Sequence, residues 1–520
     1  MPKVLSVRLR CMAKFKQIET DQLQMYALNF EELFGEGHPI HNFKKVMNTL
    51  DFGEFNGNYK NELSGRPALE PKRVMSAIFY SILLGNISMR ELCRLSKVRA
   101  ELIFLLNGEV LDHSFLSRFR KLHINEIQNL FIQTVFLGAE SGMIDFETIS
   151  IDGTKIKANA NRSDIGKMKD LEYRYKKLEA LSKRKLEEWS KEPDSKEIEK
   201  RKKKLERKKA ALEDAISFLK ENEDRKRVHL YERDCGFQKK DGNFLVGYNA
   251  QGSVDFKSGM LIAQTVESGP TDVVYSIPMI TKTEENCKKV LNESKNLPST
   301  LNRLSQPAYL LDAGYASELN YKELKDIDLY CPDVSITKAL TKGTLVENPP
   351  EKLVSNVTQE NIEFNYNQQS DTFLCHGNHT LKFTRIVKMK TQEYKEYRTS
   401  GCGTCGYRGL CTGSRSKSIL ARSEFLVSGY SKTYKVKNTP IEKVKSYYTW
   451  KMREKLSTES AKKIYSKRFP SIEGTFGVIK GVRKGYRFFL KGIQKVRLEW
   501  AERCIAHNIG KLSRFSMNAL

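Results

Sequence analysis

Apolar and polar positions change their period several times along the chain. Residues 22–34 (QLQMYALNFEELF) carry apolar side chains at helical spacing, and 67–108 continue as compact helical runs broken at Gly85-Asn86. Ser88 and Glu91 have the spacing of a capping box, in which the Ser accepts from an early helix N–H and the Glu reaches back. The next run, DHSFLSRFRKLH at 112–123, has Asp112 or Ser114 as cap and Phe115, Leu116 and Phe119 facing inward, with Arg118, Arg120 and Lys121 left available. Short helices ending in a basic one fit a helix-turn-helix-like DNA reader, or equally an ordinary bundle with a solvated basic face.

The texture turns to strands at 147. In ETISIDG, Ile149 and Ile151 alternate with Thr148, Ser150 and Asp152, and the strand is expected to end at Gly153 with the acid at its tip. Residues 165–226 read as a charged helical hairpin turning at Pro193-Asp194-Ser195. Its basic run at 201–209 (RKKKLERKK) is either a phosphate contact or a solvated helix face. Strands return at 243–255 and 259–268, a helix opens near Asp272, and Tyr309 to Leu311 form a buried strand leading into Asp312 and Gly314. A helix at 321–327 and a strand at 329–334 follow. Residues 335–445 are β-rich, and 446–515 are helical again.

With the two inserted stretches set aside, the remainder is an α/β unit, a five-stranded mixed sheet flanked by helices. The expected domains are an all-α DNA-binding region (1–140), a core built from 147–334 and 446–515, an inserted helical hairpin (165–226) and an inserted β-rich, Cys-containing subdomain (335–445).

Composition narrows the function. The 520 residues hold 89 Lys and Arg against 63 Asp and Glu, a formal net charge of +26, so the natural partner is a polyanion, nucleic acid before an anionic membrane. No apolar stretch reaches the roughly 18–20 residues that span a bilayer, and the first residues carry no signal-peptide pattern, so a membrane or secreted protein is not expected. Four of the ten cysteines (Cys375, Cys402, Cys405, Cys411) fall in one short region. The others (Cys11, Cys93, Cys235, Cys287, Cys331, Cys504) are scattered, as in a reducing compartment.

The candidate chemistry lies in three carboxylates. Asp152 is on the first core strand, Asp312 at the end of the fourth, and Glu473 on a later helix. Carboxylates on neighbouring elements of one sheet can hold a pair of Mg²⁺ or Mn²⁺ ions about 4 Å apart, an arrangement that cuts phosphodiesters. Asp145, Asp164, Asp255 and Asp272 compete for the role, but none sits beside Gly at a strand tip, and Asp272 reads as a helix cap. Pro470 suits a first helical turn, Glu473 and Lys480 share a helix face, and Gly474 and Gly477 leave room for a DNA backbone. Cys402-x₂-Cys405 with Cys411 and Cys375 offers four thiolates for a structural Zn²⁺, with His376 and His379 as alternatives to Cys375; reduced thiols or a redox pair are the other readings. His507 and Trp450 are read as packing residues.

Four stretches carry a family resemblance: RPALEPKRVMSAIFYSILLG with DHSFLSRFRKLH, ISIDGTKIKANAN, AYLLDAGY, and YSKRFPSIEGTFGVIKGVRKGYRFFLKG. On these the chain resembles bacterial insertion-sequence transposases of the DDE type. The last stretch is similar to their Tyr–Arg–Glu–Lys signature through Tyr465, Arg468, Glu473 and Lys480, with four residues rather than three between Arg and Glu, as in a neighbouring subgroup. The resemblance implies a ribonuclease H-like core with Asp152, Asp312 and Glu473 as catalytic, metal-binding residues and Tyr465, Arg468 and Lys480 toward DNA. It also implies binding of terminal inverted repeats, Mg-dependent cleavage and strand transfer, double-stranded DNA as partner, a dimer or larger assembly, and a bacterial cytoplasmic location. The alternatives are a non-catalytic DNA-binding derivative and a metal nuclease without strand transfer.

Overall fold

The structure, a computed structural model, describes residues 29–59, 68–334, 361–435 and 447–518, apart from 87, 190–195, 224, 241–242, 295, 300, 302–305, 390–391, 406 and 413. The expected turn at 193–195 and the first part of the 22–34 helix lie outside the described residues, as does the side chain of Trp450.

The N-terminal region is helical: α1 (Phe30–Phe34), α2 (Pro39–Thr49), α3 (Pro71–Leu83), α4 (Met89–Leu95), α5 (Ala100–Leu106), α6 (His113–Leu122) and α7 (Ile124–Glu140). Helices α2 and α3 begin at proline, whose fixed φ suits a first turn and whose missing N–H is no loss there. Only half of the expected capping box forms. Ser88 accepts from Glu91 N, but the Glu91 carboxylate turns to Arg94, a charge-assisted bond that outcompetes a neutral amide. In α6, Asp112 caps by accepting from Phe115 N, and Leu116 and Phe119 are buried as expected. Arg120 departs from expectation. It is buried and ion-paired with Glu502, so it is not available to DNA; a buried guanidinium must be paired to offset its lost hydration.

The central sheet is built from β1 (Thr148–Lys157), β4 (Gly236–Lys240), β5 (Asn243–Asp255), β6 (Leu261–Glu267), β7 (Ala308–Leu311) and β8 (Leu329–Tyr330). Its path runs β4-β5-β1-β7-β8, with β6 also on β5; β1 is antiparallel to β5 and parallel to β7. The sheet thus has six strands rather than five, because β4 adds a hairpin arm to the start of β5. Strand β1 also runs four residues past Gly153, to Lys157, held by continued pairing with β5. Asp152 is therefore inside the strand rather than at its tip. Both faces of β1 are covered, which is why Thr148 and Ser150 are buried although the alternation marked them as outward.

Helix α10 (Ser276–Glu293) follows β6, and α11 (Glu318–Glu323) joins β7 to β8. Between β1 and β4, helices α8 (Met168–Trp189) and α9 (Lys196–Glu221) pack against each other, rooted on the short pair β2 (Ile165–Gly166) and β3 (Val228–His229). The hairpin has its own apolar seam of Leu171, Leu178, Leu212, Ala215 and Leu219. The second inserted stretch is a six-stranded antiparallel sheet of β9 (Asn361–Asn367), β10 (Thr372–Cys375), β11 (Thr380–Met389), β12 (Gln392–Thr399), β13 (Lys417–Arg422) and β14 (Ser431–Lys435). A helical turn, α12 (Arg408–Cys411), stands between β12 and β13.

The chain ends in α13 (Tyr447–Ser457), α14 (Glu459–Ser466), a helical segment at 469–482, and the long α15 (Ile493–Asn518). Asn508 of α15 donates to Thr134 Oγ1 of α7 and bonds both the N–H and the C=O of Leu261 in β6, so one buried amide ties three elements together. The apolar core runs without a break from Ile40 of α2 through the central sheet to Leu512 of α15. Among the described residues every cysteine is a free thiol, and no helix is long and apolar enough to cross a membrane.

Candidate active site

The parallel register of β1 on β7 builds the site. Thr148 pairs with Ala308 and Ile151 with Leu311, so the next step along both strands brings Asp152 beside Asp312. Pairing ends there because Asp312 leaves the strand to cap the 3₁₀ turn Ala313–Tyr315, accepting from Gly314 N at 2.9 Å. Asp152 accepts from Gly153 N at 2.7 Å.

Glu473 comes from the 469–482 segment, which lies on the face of β1 that carries Ser150, Asp152 and Thr154. Ser471 Oγ donates to Ser150 Oγ at 2.6 Å, and Lys480 Nζ donates to Thr154 Oγ1 at 2.7 Å. The segment is not a regular α-helix. Phe469–Glu473 and Val478–Val482 are wound as π-helix around a short α-helical Gly474–Gly477, a winding that often marks functional sites. Glu473 and Lys480 still reach the same strand face, but through this wider winding.

Arg468 lies between the acids. Its Nη2 donates to Asp152 Oδ2 at 2.6 Å and its Nη1 to Glu473 Oε1 at 3.3 Å, while Nε has no hydrogen-bond partner among the described residues. Burial pushes the Asp152 carboxyl up to about 7; the Arg468 charge opposes this, and Asp312 and Asp272 add to it. Burial raises Asp312 too, again opposed by Arg468. Tyr465 is half-buried against Ala308, Leu310 and Tyr330, and burial raises its phenol.

Asp272 is not the helix cap that its place in the sequence suggests. It makes no side-chain cap bond. Its carboxylate instead accepts from Lys155 Nζ (3.0 Å), Asn249 Nδ2 (2.6 Å) and Gln251 Nε2 (2.9 Å), on the opposite face of β1 from Glu473. Gly153 makes the approach possible, since a Cβ there would stand 2.5 Å from Asp272 Oδ1. Gln251 in turn accepts from the buried Tyr315 hydroxyl. A signal for this network was present in β5, where Asn249, Gln251, Ser253 and Asp255 place polar groups at every second position, all fully buried.

The donors at the first site are carboxylate oxygens, which suit Mg²⁺ or Mn²⁺. Among the described residues no three His, Cys, Asp or Glu side chains converge at metal-ligating distance. At the acidic site the Arg468 guanidinium fills the space between Asp152 and Glu473. In the inserted sheet Cys375, Cys402, Cys405 and Cys411 line one small cavity of about 20 Å³, together with His376. His379 N donates to Cys375 Sγ at 3.4 Å, and a Cβ on Gly377 would meet Cys405 Sγ at 2.6 Å.

Residues 28–122 match a family model described as a transposase domain, and residues 374–513 match one described as a transposase DDE domain. The second match contains Glu473 and the four clustered cysteines. No curated protein and no solved structure matches the chain.

Proposed function

We propose that this chain, which belongs to the insertion-sequence DDE transposases, binds the terminal inverted repeats of its element, cuts the DNA there and joins the freed 3′-hydroxyl to a target. The observation that carries this reading is the β1–β7 register, which brings Asp152 and Asp312 side by side, with Glu473 joined to Asp152 through Arg468. The core is read as ribonuclease H-like because its antiparallel strands β1, β5 and β6 are followed by β7 and β8, parallel to β1 and to one another.

Asp152, Asp312 and Glu473 would hold the divalent ions. Such ions, when bound, activate the attacking oxygen and stabilise the leaving one. The chain's own residues do the rest. Arg468 pairs with Asp152 and Glu473, and with metal on those acids its guanidinium would be available to a phosphate oxygen. Lys480, bonded to Thr154 two positions along β1 from Asp152, supplies a cation for the DNA backbone, and Tyr465 backs Arg468. The Lys155–Asp272 pair fixes β1 from its other face. Both reaction steps are in-line attacks on phosphorus at the same carboxylates, first by water and then by a DNA hydroxyl, with no covalent enzyme intermediate. Two element ends must be held at once, so the working form is a dimer or larger.

The cysteine cavity is read as a structural Zn²⁺ site because its lining carries four thiols, the donor set Zn²⁺ takes, and the sheet around it has a small apolar core. Incubating the protein with DNA carrying its own gene's flanking sequences, with and without Mg²⁺, tests the main reading. Metal-dependent breaks at discrete ends followed by joined products are expected. Breaks without joining would leave a nuclease, and binding without breaks a non-catalytic derivative.

A further inference from the structure

A second cleft runs along the 469–482 segment, lined by residues other than the three acids. It has a volume of about 360 Å³ and lies between the β5–β6 turn (256–259), the 470–478 flank of the segment, and His507 and Lys511 of α15. Its walls bear cations. Lys257 is on the turn, Lys467 stands 5.2 Å from the Phe256 ring centre, and Lys511 Nζ is folded so closely over Gly259 that a Cβ there would be 2.8 Å from it.

Behind this wall His507, Lys511 and Arg514 recur at helical spacing on one face of α15. Arg483 is packed among them. It is only 3% exposed, and its buried Nη1 meets no hydrogen-bond partner among the described residues. Burial and the Arg514 charge push Arg483 down to about 10. Burial, Arg514 and Arg483 lower Lys511. Burial, then Arg483, Lys511 and Arg514, hold His507 down at about 3, so it is neutral, with one ring nitrogen bonded to Gly259 O at 3.0 Å. Among the described residues no carboxylate is within ion-pair distance of Arg483, Lys511 or Arg514; the only such contact at the cleft is Asp145, 4.0 Å from Lys257.

Arg483 and Lys511, withdrawn wholly and partly from water and without a carboxylate partner among the described residues, repel each other and the exposed Arg514, so a cluster of this kind is completed by an anion from outside. The cleft is also open where a chain can enter, for a Cβ on Gly474 would meet nothing within 4 Å. We propose that this cleft binds a backbone phosphate of the DNA, held by the lining Lys511 and Lys257, with Arg514 on the same face of α15 and the buried Arg483 behind it adding positive charge. Because Gly474 directly follows Glu473, that phosphate sits on the strand running past the acidic site and fixes its register there. The inference rests on the transposase reading.

The test is the salt dependence of duplex DNA binding by the Lys511→Gln/Arg514→Gln double variant, measured without divalent metal. Each lost phosphate contact lowers the slope of log affinity against log salt by about one. The expected result is a slope smaller by about 1–2, with a melting temperature of the DNA-free protein equal to or above that of the unaltered protein, because repulsion has been relieved. An unchanged slope overturns the proposal. Lys257→Gln, on the exposed turn, repeats the test if the double variant is destabilised. Inorganic phosphate is the control ligand: if it raises the melting temperature of the unaltered protein but not of the variant while the DNA slope stays the same, the cleft is a small-anion site and the DNA assignment fails. No salt-dependent DNA binding by the unaltered protein overturns both this proposal and the transposase reading, whereas loss of the slope difference alone overturns only the cleft.

Discussion

Arg468 and Asp152 are 316 residues apart in sequence, yet they form a 2.6 Å ion pair that is largely withdrawn from solvent. The same guanidinium reaches Glu473, so a single cation links two of the three acids the sequence marked out. Breaking a buried pair by removing one partner costs roughly 3–5 kcal/mol. Arg468→Gln is therefore expected to lower the melting temperature of the metal-free protein by several degrees. Millimolar Mg²⁺ should recover more of that loss than it adds to the unaltered protein, because the two carboxylates are then without their cation. Calorimetry with and without Mg²⁺ checks this, and equal Mg²⁺ effects in both proteins would count against a shared place for arginine and metal.

On the proposed mechanism, Asp152→Ala, Asp312→Ala and Glu473→Ala should each abolish cleavage while leaving end binding within about threefold, since these carboxylates would act in the reaction and not in holding DNA. Gel-shift and cleavage assays on the same duplex separate the two effects. Full cleavage by any one variant would remove that residue from the site.

Gly153→Ala tests the network behind β1. The new methyl would stand 2.3 Å from Gln251 Nε2, 2.5 Å from Asp272 Oδ1 and 2.8 Å from Asn249 Oδ1. Overpacking of this kind costs typically about 1–3 kcal/mol. Loss of stability by chemical denaturation is expected together with slower cleavage, because Asp152 is the neighbouring residue. A variant as stable as the parent would mean that Asp272 does not bear on β1.

The acidic site also sets a pH dependence. Asp152 is held at about 7 in the fold, against about 3.9 for an unperturbed Asp. Between those values the folded chain holds a proton that the unfolded chain has lost, so this group's contribution to stability is present below about 4 and is lost as pH rises through about 7. Metal-free protein should therefore lose melting temperature from pH 5 to 8, with a flatter profile in Asp152→Asn. Mg²⁺ should stabilise more at pH 8 than at pH 5.5, where a proton competes with it.

The cysteine cavity predicts about one Zn²⁺ per chain by elemental analysis. Cys402→Ser or Cys405→Ser should release it and make the 361–435 sheet sensitive to protease. A zinc-free protein with an intact sheet would return the four residues to ordinary reduced thiols.

Local pattern along the chain marks the elements and the candidate acids. The switch from helical period to alternation located β1 and β7, the charge excess pointed to a polyanion, and Asp152, Asp312 and Glu473 stood out beside glycines or on a signature helix. These are local signals, carried by residues next to one another in the chain. Partners were decided only by the tertiary structure. Arg120 reads as a free cation on a basic helix until Glu502, 382 residues away, is packed against it. Asp272 reads as a cap until β5 brings Asn249 and Gln251 to it. Gly153 reads as a strand end until β5 carries the pairing on to Lys157. In each case burial removes water as the competing partner, and the group then bonds whatever the fold places beside it, a choice that no local pattern encodes.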